Sequence, residues 1–164
     1  MKRKITILSL ALVLLFGGIN AMAETELALY CFEGASVIAN DLNLRLTDDH
    51  YPIGGDDVTG CRYVSDTESL VVLGDDDDCN ITLSAGGGEY SLFGVSLGMS
   101  LSQAQEAFHD YCDEHSFPIA YEEWTETCAY VEFGDSARYE WLNCCLLSVI
   151  FDNGAVTEVE QYFL

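Results

Sequence analysis

Basic charge is nearly missing from this chain. Six lysines and arginines stand against 28 carboxylates, and Lys2, Arg3 and Lys4 account for half of the six. Beyond them only Arg45, Arg62 and Arg138 remain, with no lysine at all. A field of that sign repels phosphate backbones and anionic lipid headgroups, so no nucleic-acid partner is expected. A cation or a basic protein is the electrostatically matched companion. Catalytic signatures are equally thin. There is no G-x-S-x-G elbow, and the histidines are His50, His109 and His115. No two of the seven cysteines have C-x-x-C spacing, which argues against a zinc ribbon and a thioredoxin-type redox centre. The expectation is a non-catalytic protein with no resident cofactor, and a small hydrolase ranks behind it.

What is present begins with residues 1–23. The basic start Met1-Lys2-Arg3-Lys4, the apolar run from Ile5 to Phe16 and the small residues of Ala21-Met22-Ala23 have the plan of an export signal. The run is too short for a comfortable membrane span, and acidic residues follow it, so no membrane insertion is expected once the signal is removed. The mature chain is expected to begin near Glu24 as a periplasmic or secreted protein. Oxidation is the default there, so Cys31, Cys61, Cys79, Cys112, Cys128, Cys144 and Cys145 are disulfide candidates. At least two bonds are expected, as constraints against carboxylate repulsion.

The remainder has the size of one domain or two small halves sharing a core. Residues 24–84 read as a β-rich part, with short strands broken by acidic turns. Leu42, Leu44 and Leu46 alternate with polar neighbours, and Ser69 to Leu73 and Asn80 to Ser84 are further strands. Ala85-Gly86-Gly87-Gly88 reads as a linker, and no internal repeat is evident.

Residues 89–164 read as a helix-plus-sheet module. Tyr90 to Leu97 is expected as one strand. Ser100 and Gln103 form a capping box, opening a helix with a stripe of Leu101, Ala104, Ala107, Phe108, Tyr111, Cys112 and His115, and Phe117-Pro118 ends it. Strands follow at Cys128 to Phe133, Tyr139 to Phe151 and Ala155 to Phe163. The fold class is therefore α+β, an antiparallel sheet with one main helix on one face, preceded by the β-rich part.

The turn at Asp152-Asn153-Gly154 sets the register of the last two strands. A three-residue loop pairing Phe151 with Ala155 aligns their apolar faces and is the expected solution. Cys145, Leu147, Phe151 and Phe163 then face the core. Leu142, Leu146, Ile150 and Tyr162 face away, with Glu158 and Glu160 among them. Apolar residues ringed by carboxylates suit a basic protein partner, and these six residues are the candidate binding face.

Two metal readings compete with it. The run Asp75, Asp76, Asp77, Asp78 lacks the glycine and glutamate positions of an EF-hand, but with Asp56 and Asp57 it suggests an irregular calcium site. His109, Cys112 and His115 recur at three-residue steps on the helix. Cys112 and His115 also fit the apolar stripe, so packing is the preferred account of them.

Residues 92 to 108, LFGVSLGMSLSQAQEAF, resemble the glycine–methionine–serine helix entry of a bacterial exported superfamily. It includes the small outer-membrane-assembly lipoproteins of the SmpA/OmlA type and the β-lactamase inhibitory protein. The ending SVIFDNGAVTEV, residues 148 to 159, is similar to its terminal hairpin. The chain departs from that pattern in having no lipid-bearing cysteine, an acidic β-rich first half, and one evident helix where the family often has two. The resemblance implies a helix packed on one face of an antiparallel sheet, with the other face free to bind protein.

Overall fold

The computed structural model describes residues 25–28, 34–53, 59–75, 79–134 and 145–163. Along the chain the elements are β1 (Thr25–Glu26), α1 (Ala35–Asp41), β2 (Arg45–Pro52), β3 (Thr59–Val64), β4 (Leu70–Gly74) and β5 (Cys79–Leu83). Then come β6 (Tyr90–Leu92), β7 (Val95–Ser96), α2 (Leu101–His115), β8 (Ile119–Trp124), β9 (Cys128–Phe133), β10 (Cys145–Asp152) and β11 (Ala155–Phe163). Eight strands form one antiparallel sheet in the order β2-β3-β4-β5-β11-β10-β9-β8, while β1, β6 and β7 make a small second sheet. The class is α+β and rich in strand.

The order of the large sheet shows a duplication of plan. Each half is a helix followed by a four-stranded meander, and the last strands of the two meanders, β5 and β11, pair antiparallel at the centre. Residues 85–88 form a tight turn, with Gly86 at φ +104° and Gly87 N donating to the Ser84 carbonyl. The sheet runs on without a break from one half to the other.

Helix α2 starts as its capping box requires. Ser100 Oγ accepts from Gln103 N, and Gln103 Oε1 accepts from Ser100 N. The helix ends where Ser116 turns left-handed at φ 57° and Phe117 N reaches back to the Cys112 carbonyl. Ala104, Phe108 and Cys112 are buried, whereas His115 at the end of the stripe is exposed. Phe108 meets Phe133 edge-on at 5.1 Å and Trp124 at 6.1 Å.

The alternating leucines of the first half do not make one strand. Ala35, Ile38 and Ala39 are the buried face of α1, Leu42 closes that helix, and Asn43 turns left-handed at φ 53°. Only Arg45 onward is extended, and Leu46 is exposed. Spacing of i, i+3, i+4 and i+7 for Ala35, Ile38, Ala39 and Leu42 is the helical signal that the period-two pattern hid.

The expected strand from Tyr90 to Leu97 is a hairpin. Phe93 and Gly94 both take positive φ, 53° and 76°, the backbone of a two-residue type I′ turn. Glu26 holds this turn to the N-terminal strand. Its carboxylate accepts from Phe93 N and Gly94 N at 2.9 Å each, from Ser91 Oγ at 2.9 Å and from Ala28 N at 2.7 Å.

The terminal hairpin also corrects an expectation. Its loop has two residues, Asn153 and Gly154, with Asp152 opposite Ala155 and Phe151 opposite Val156. A bulge then takes up Thr157, so that Ile150 faces Glu158, Val149 faces Val159 and Leu147 faces Gln161. Burial of the apolar face decides the outcome as expected, but through an extra residue in the strand instead of a longer loop.

The inner face of the sheet carries Leu70, Val72, Ile81, Leu83, Val131, Leu147, Val149 and Val159, all buried in one cluster with Ile38, Phe93 and Phe108. Among them Gln161 is fully buried, and neither Nε2 nor Oε1 has a hydrogen-bond partner among the described residues. Leaving buried polar groups unpaired costs about 1–3 kcal/mol. Gln161→Leu is therefore expected to stabilise the fold by an amount of that order, read as a higher denaturant midpoint. A lower midpoint would show that the amide is satisfied, as by an internal water.

Candidate functional site

Cross-strand pairing fixes what the outer face of the second half displays. Residues directly opposite one another share a face. One row is Tyr121, Glu132, Leu146 and Tyr162; the next is Glu123, Tyr130, Ser148, Glu160 and Thr82; the third is Cys128, Ile150 and Glu158. Leu146 is only 6% exposed, while Ile150 is 40%, Tyr130 39% and Tyr121 48% exposed. The face proposed from the sequence therefore divides. Ile150, Glu158 and Glu160 share it with the half-buried Tyr162, but Leu146 is closed to a partner. Leu142 lies outside the described residues.

Tyr121 and Tyr130 were not singled out by the sequence, yet they are the largest exposed groups on this face. Their rings approach edge-on at 6.5 Å, and Tyr121 Oη donates to Glu123 Oε2 at 3.0 Å. That bond, together with the charge of Glu123, pushes the Tyr121 phenol above its ordinary pKa. Alternation of Tyr121 and Glu123 with Glu122 and Trp124 was the available signal. The signal is weak, because the alternation spans only four residues.

Glu160 sits deeper. Tyr162 Oη donates to its carboxylate, and Thr82 Oγ1 lies at 3.5 Å. Burial first, then the charge of Glu158, raise the Glu160 carboxyl above the ordinary range, while the Thr82 hydrogen bond opposes the rise.

On the helix side, His109 Nε2 lies 2.7 Å from Glu122 Oε2, which also accepts from Trp124 Nε1 at 2.9 Å. The His109 contact is the main cause that lowers the Glu122 carboxyl. One turn along α2, Cys112 is buried, and its thiol is pushed up to about 12 by desolvation, with the charges of Asp113 and Glu122 adding to the rise. A thiol so placed is protonated at neutral pH and is no nucleophile. His115 stacks on Tyr111 at 4.0 Å, with Nδ1 2.9 Å from the Tyr111 carbonyl oxygen. His109 and His115 are thus each engaged elsewhere, and Cys112 is buried. Among the described residues, no three His, Cys, Asp or Glu side chains converge as metal ligands.

A cleft of about 190 Å³ opens at one end of the first half, lined by Ala35, Ser36, Asp49, Thr59, Gly60, Cys61, Tyr63, Gly74 and Asp75. Asp75 also accepts from Ala35 N through its backbone carbonyl. Asp56, Asp57, Asp76, Asp77 and Asp78 lie outside the described residues, as do Cys31 and Cys144. Among the described residues no two cysteines stand at disulfide distance. Among the described residues no helix is long and apolar enough to cross a membrane.

Compared with protein-family models, with curated proteins and with solved structures, the chain finds no match.

Proposed function

We propose that this is an exported, non-catalytic binding protein that captures a basic protein on the outer face of β8, β9 and β10. The observation carrying the reading is the exposure of Tyr121, Tyr130 and Ile150 among Glu123, Glu132 and Glu158. Tyrosines supply rigid contact area at small entropic cost, and a carboxylate surround selects a cationic partner. The reading includes a helix, α2, packed on the opposite face, as the resemblance to the assembly-lipoprotein and inhibitor superfamily implies. The inert thiol of Cys112 beside His109 supports the non-catalytic part. Export rests on the signal-like residues 1–23. At least two disulfides are proposed with it.

The test is recovery of exported proteins on the immobilised chain and on its Ile150→Asp variant. Ile150 is 40% exposed but stands directly opposite Glu158, so the substitution is expected to cost about 1–2 kcal/mol in strand preference and like-charge repulsion and to leave the protein folded. The expected result is a basic protein that the wild type retains and Ile150→Asp retains at least tenfold less. Equal retention by both, or recovery of acidic proteins alone, overturns the reading.

A calcium-stabilised protein is the second reading, and one observation favours it: Asp49 and Asp75 line one cleft. Pro52, Thr59, Gly74 and Cys79, the strand ends that flank Asp56, Asp57 and Asp76 to Asp78 in sequence, stand at that same end. Melting with calcium against sodium chloride of equal ionic strength separates specific binding from screening. With the binding-protein reading, the two salts are expected to give the same melting temperature. A further rise with calcium alone favours the cleft.

A further inference from the structure

We infer that the open edge of β8 is a strand-addition site for an extended lysine- or arginine-rich segment of another protein. The inference shares with the proposed function the premise of a basic partner, and moves from the face of the sheet to its edge.

Among the described residues, only β2 and β8 have a single neighbour in the large sheet. An edge strand presents backbone N–H and C=O groups that no neighbour satisfies, and proteins usually blunt such edges with bulges, proline or charge. The β2 edge is blunted. Its register against β3 shifts twice, Pro52 closes it, and Asp48, Asp49 and His50 crowd it.

The β8 edge is different. One shift separates Ile119 from Tyr121, after which Tyr121 to Trp124 run in unbroken register with β9. Ile119 to Glu123 are all exposed. From behind, Glu122 is tied both to His109 on α2 and to Trp124. The strand is thus fixed before any partner arrives, and little ordering of β8 opposes addition.

Chemistry selects the occupant. An added antiparallel strand sets alternate side chains beside Tyr121 and Glu123 on the outer face, with Glu132 directly opposite Tyr121. Lysine or arginine at those positions gains ion pairs and a contact with the Tyr121 ring. A second copy of this chain does not fit. Pairing β8 with β8 brings Glu122 and Glu123 against like charges, and beyond residue 4 the chain holds three arginines and no lysine.

The test uses the ¹⁵N-labelled protein and a blocked eight-residue peptide of alternating lysine and valine. A copy of the peptide is N-methylated at every second residue, so that its hydrogen-bonding edge is capped. The unmodified peptide is expected to shift the amide resonances of Tyr121 to Trp124. Methylation is expected to weaken binding at least tenfold, as is Glu123→Lys; Glu123→Gln, with less charge change, is expected to weaken it by a smaller factor. Equal binding by the methylated peptide overturns strand addition, and so does absence of shifts in β8 at millimolar peptide and low salt. Because the face reading is tested by Ile150→Asp with folded protein partners, either result can fail while the other stands.

Discussion

Gly94→Ala is expected to cost at least about 3 kcal/mol of stability, through two effects that coincide at one position. Gly94 has φ +76°, a region that L side chains adopt only under strain. A Cβ placed there lies 2.7 Å from the Ala107 carbonyl oxygen and 3.2 Å from its carbon. Both atoms belong to the backbone of α2, so relief requires moving the helix or the turn. Moving the turn breaks the bonds from Phe93 N and Gly94 N to Glu26, and hydrogen bonds to a charged acceptor contribute about 1.5–3 kcal/mol each. Gly154→Ala is the control. Its φ is +80°, but nothing stands within 4 Å, so only backbone strain of about 1–2 kcal/mol is expected. Denaturant midpoints of the two variants check the contrast. If Gly94→Ala loses no more than Gly154→Ala, close approach to α2 is not what places glycine in this turn.

That turn also shows why parts of the fold were hard to read. The residues Phe93-Gly94 interrupt a run, Tyr90 to Leu97, whose pattern is otherwise that of one strand. Nothing local says that the chain must reverse, because the reason is a contact with Ala107 and a carboxylate at Glu26, far away in sequence. Helix α2 was legible because its signals are local: a cap at Ser100, a stripe at helical spacing and a stop at Pro118. Helix α1 is two turns long, without an N-cap side-chain hydrogen bond, and gave only the weak signature of Ala35, Ile38 and Ala39. The duplicated plan was invisible because the pairing of β5 with β11 depends on tertiary contact, not on repeated residues.

The candidate site was legible to the same extent. The terminal hairpin sent Ile150, Glu158 and Glu160 outward in the structure as in the sequence reading. This held because the inner face of β10 carries Cys145, Leu147, Val149 and Phe151, and burial fixes the alternation even when the loop is misjudged. Tyr121 and Tyr130 were not legible. They join Ile150 only through the neighbouring strands β8 and β9, and cross-strand neighbours are not encoded in either strand alone.

Leu146→Glu is expected to destabilise the protein by several kcal/mol, and its behaviour separates the open and closed parts of the face. From the sequence alone, Leu146 and Ile150 stand four residues apart on one face of one strand, and each could serve a partner equally well. The structure distinguishes them: Leu146 is 6% exposed and Ile150 40%. A glutamate at position 146 enters between Glu132 and Tyr162, its direct cross-strand neighbours. The new carboxylate loses most of its water and finds one carboxylate opposite and a second, Glu160, two residues along the strand next to Tyr162. Burying an unpaired charge costs more than burying a neutral polar group, and like charges directly opposite add to that cost. Protonation is the only local relief. The loss is therefore expected to be largest near neutral pH and to shrink as acid neutralises the added carboxylate. Leu146→Met keeps the volume and is expected to cost less than about 1.5 kcal/mol. Urea melts of Leu146→Glu, Leu146→Met and Ile150→Glu at neutral and mildly acidic pH test the set. A Leu146→Glu protein as stable as Ile150→Glu would mean that position 146 is open to solvent after all, and would return it to the binding face.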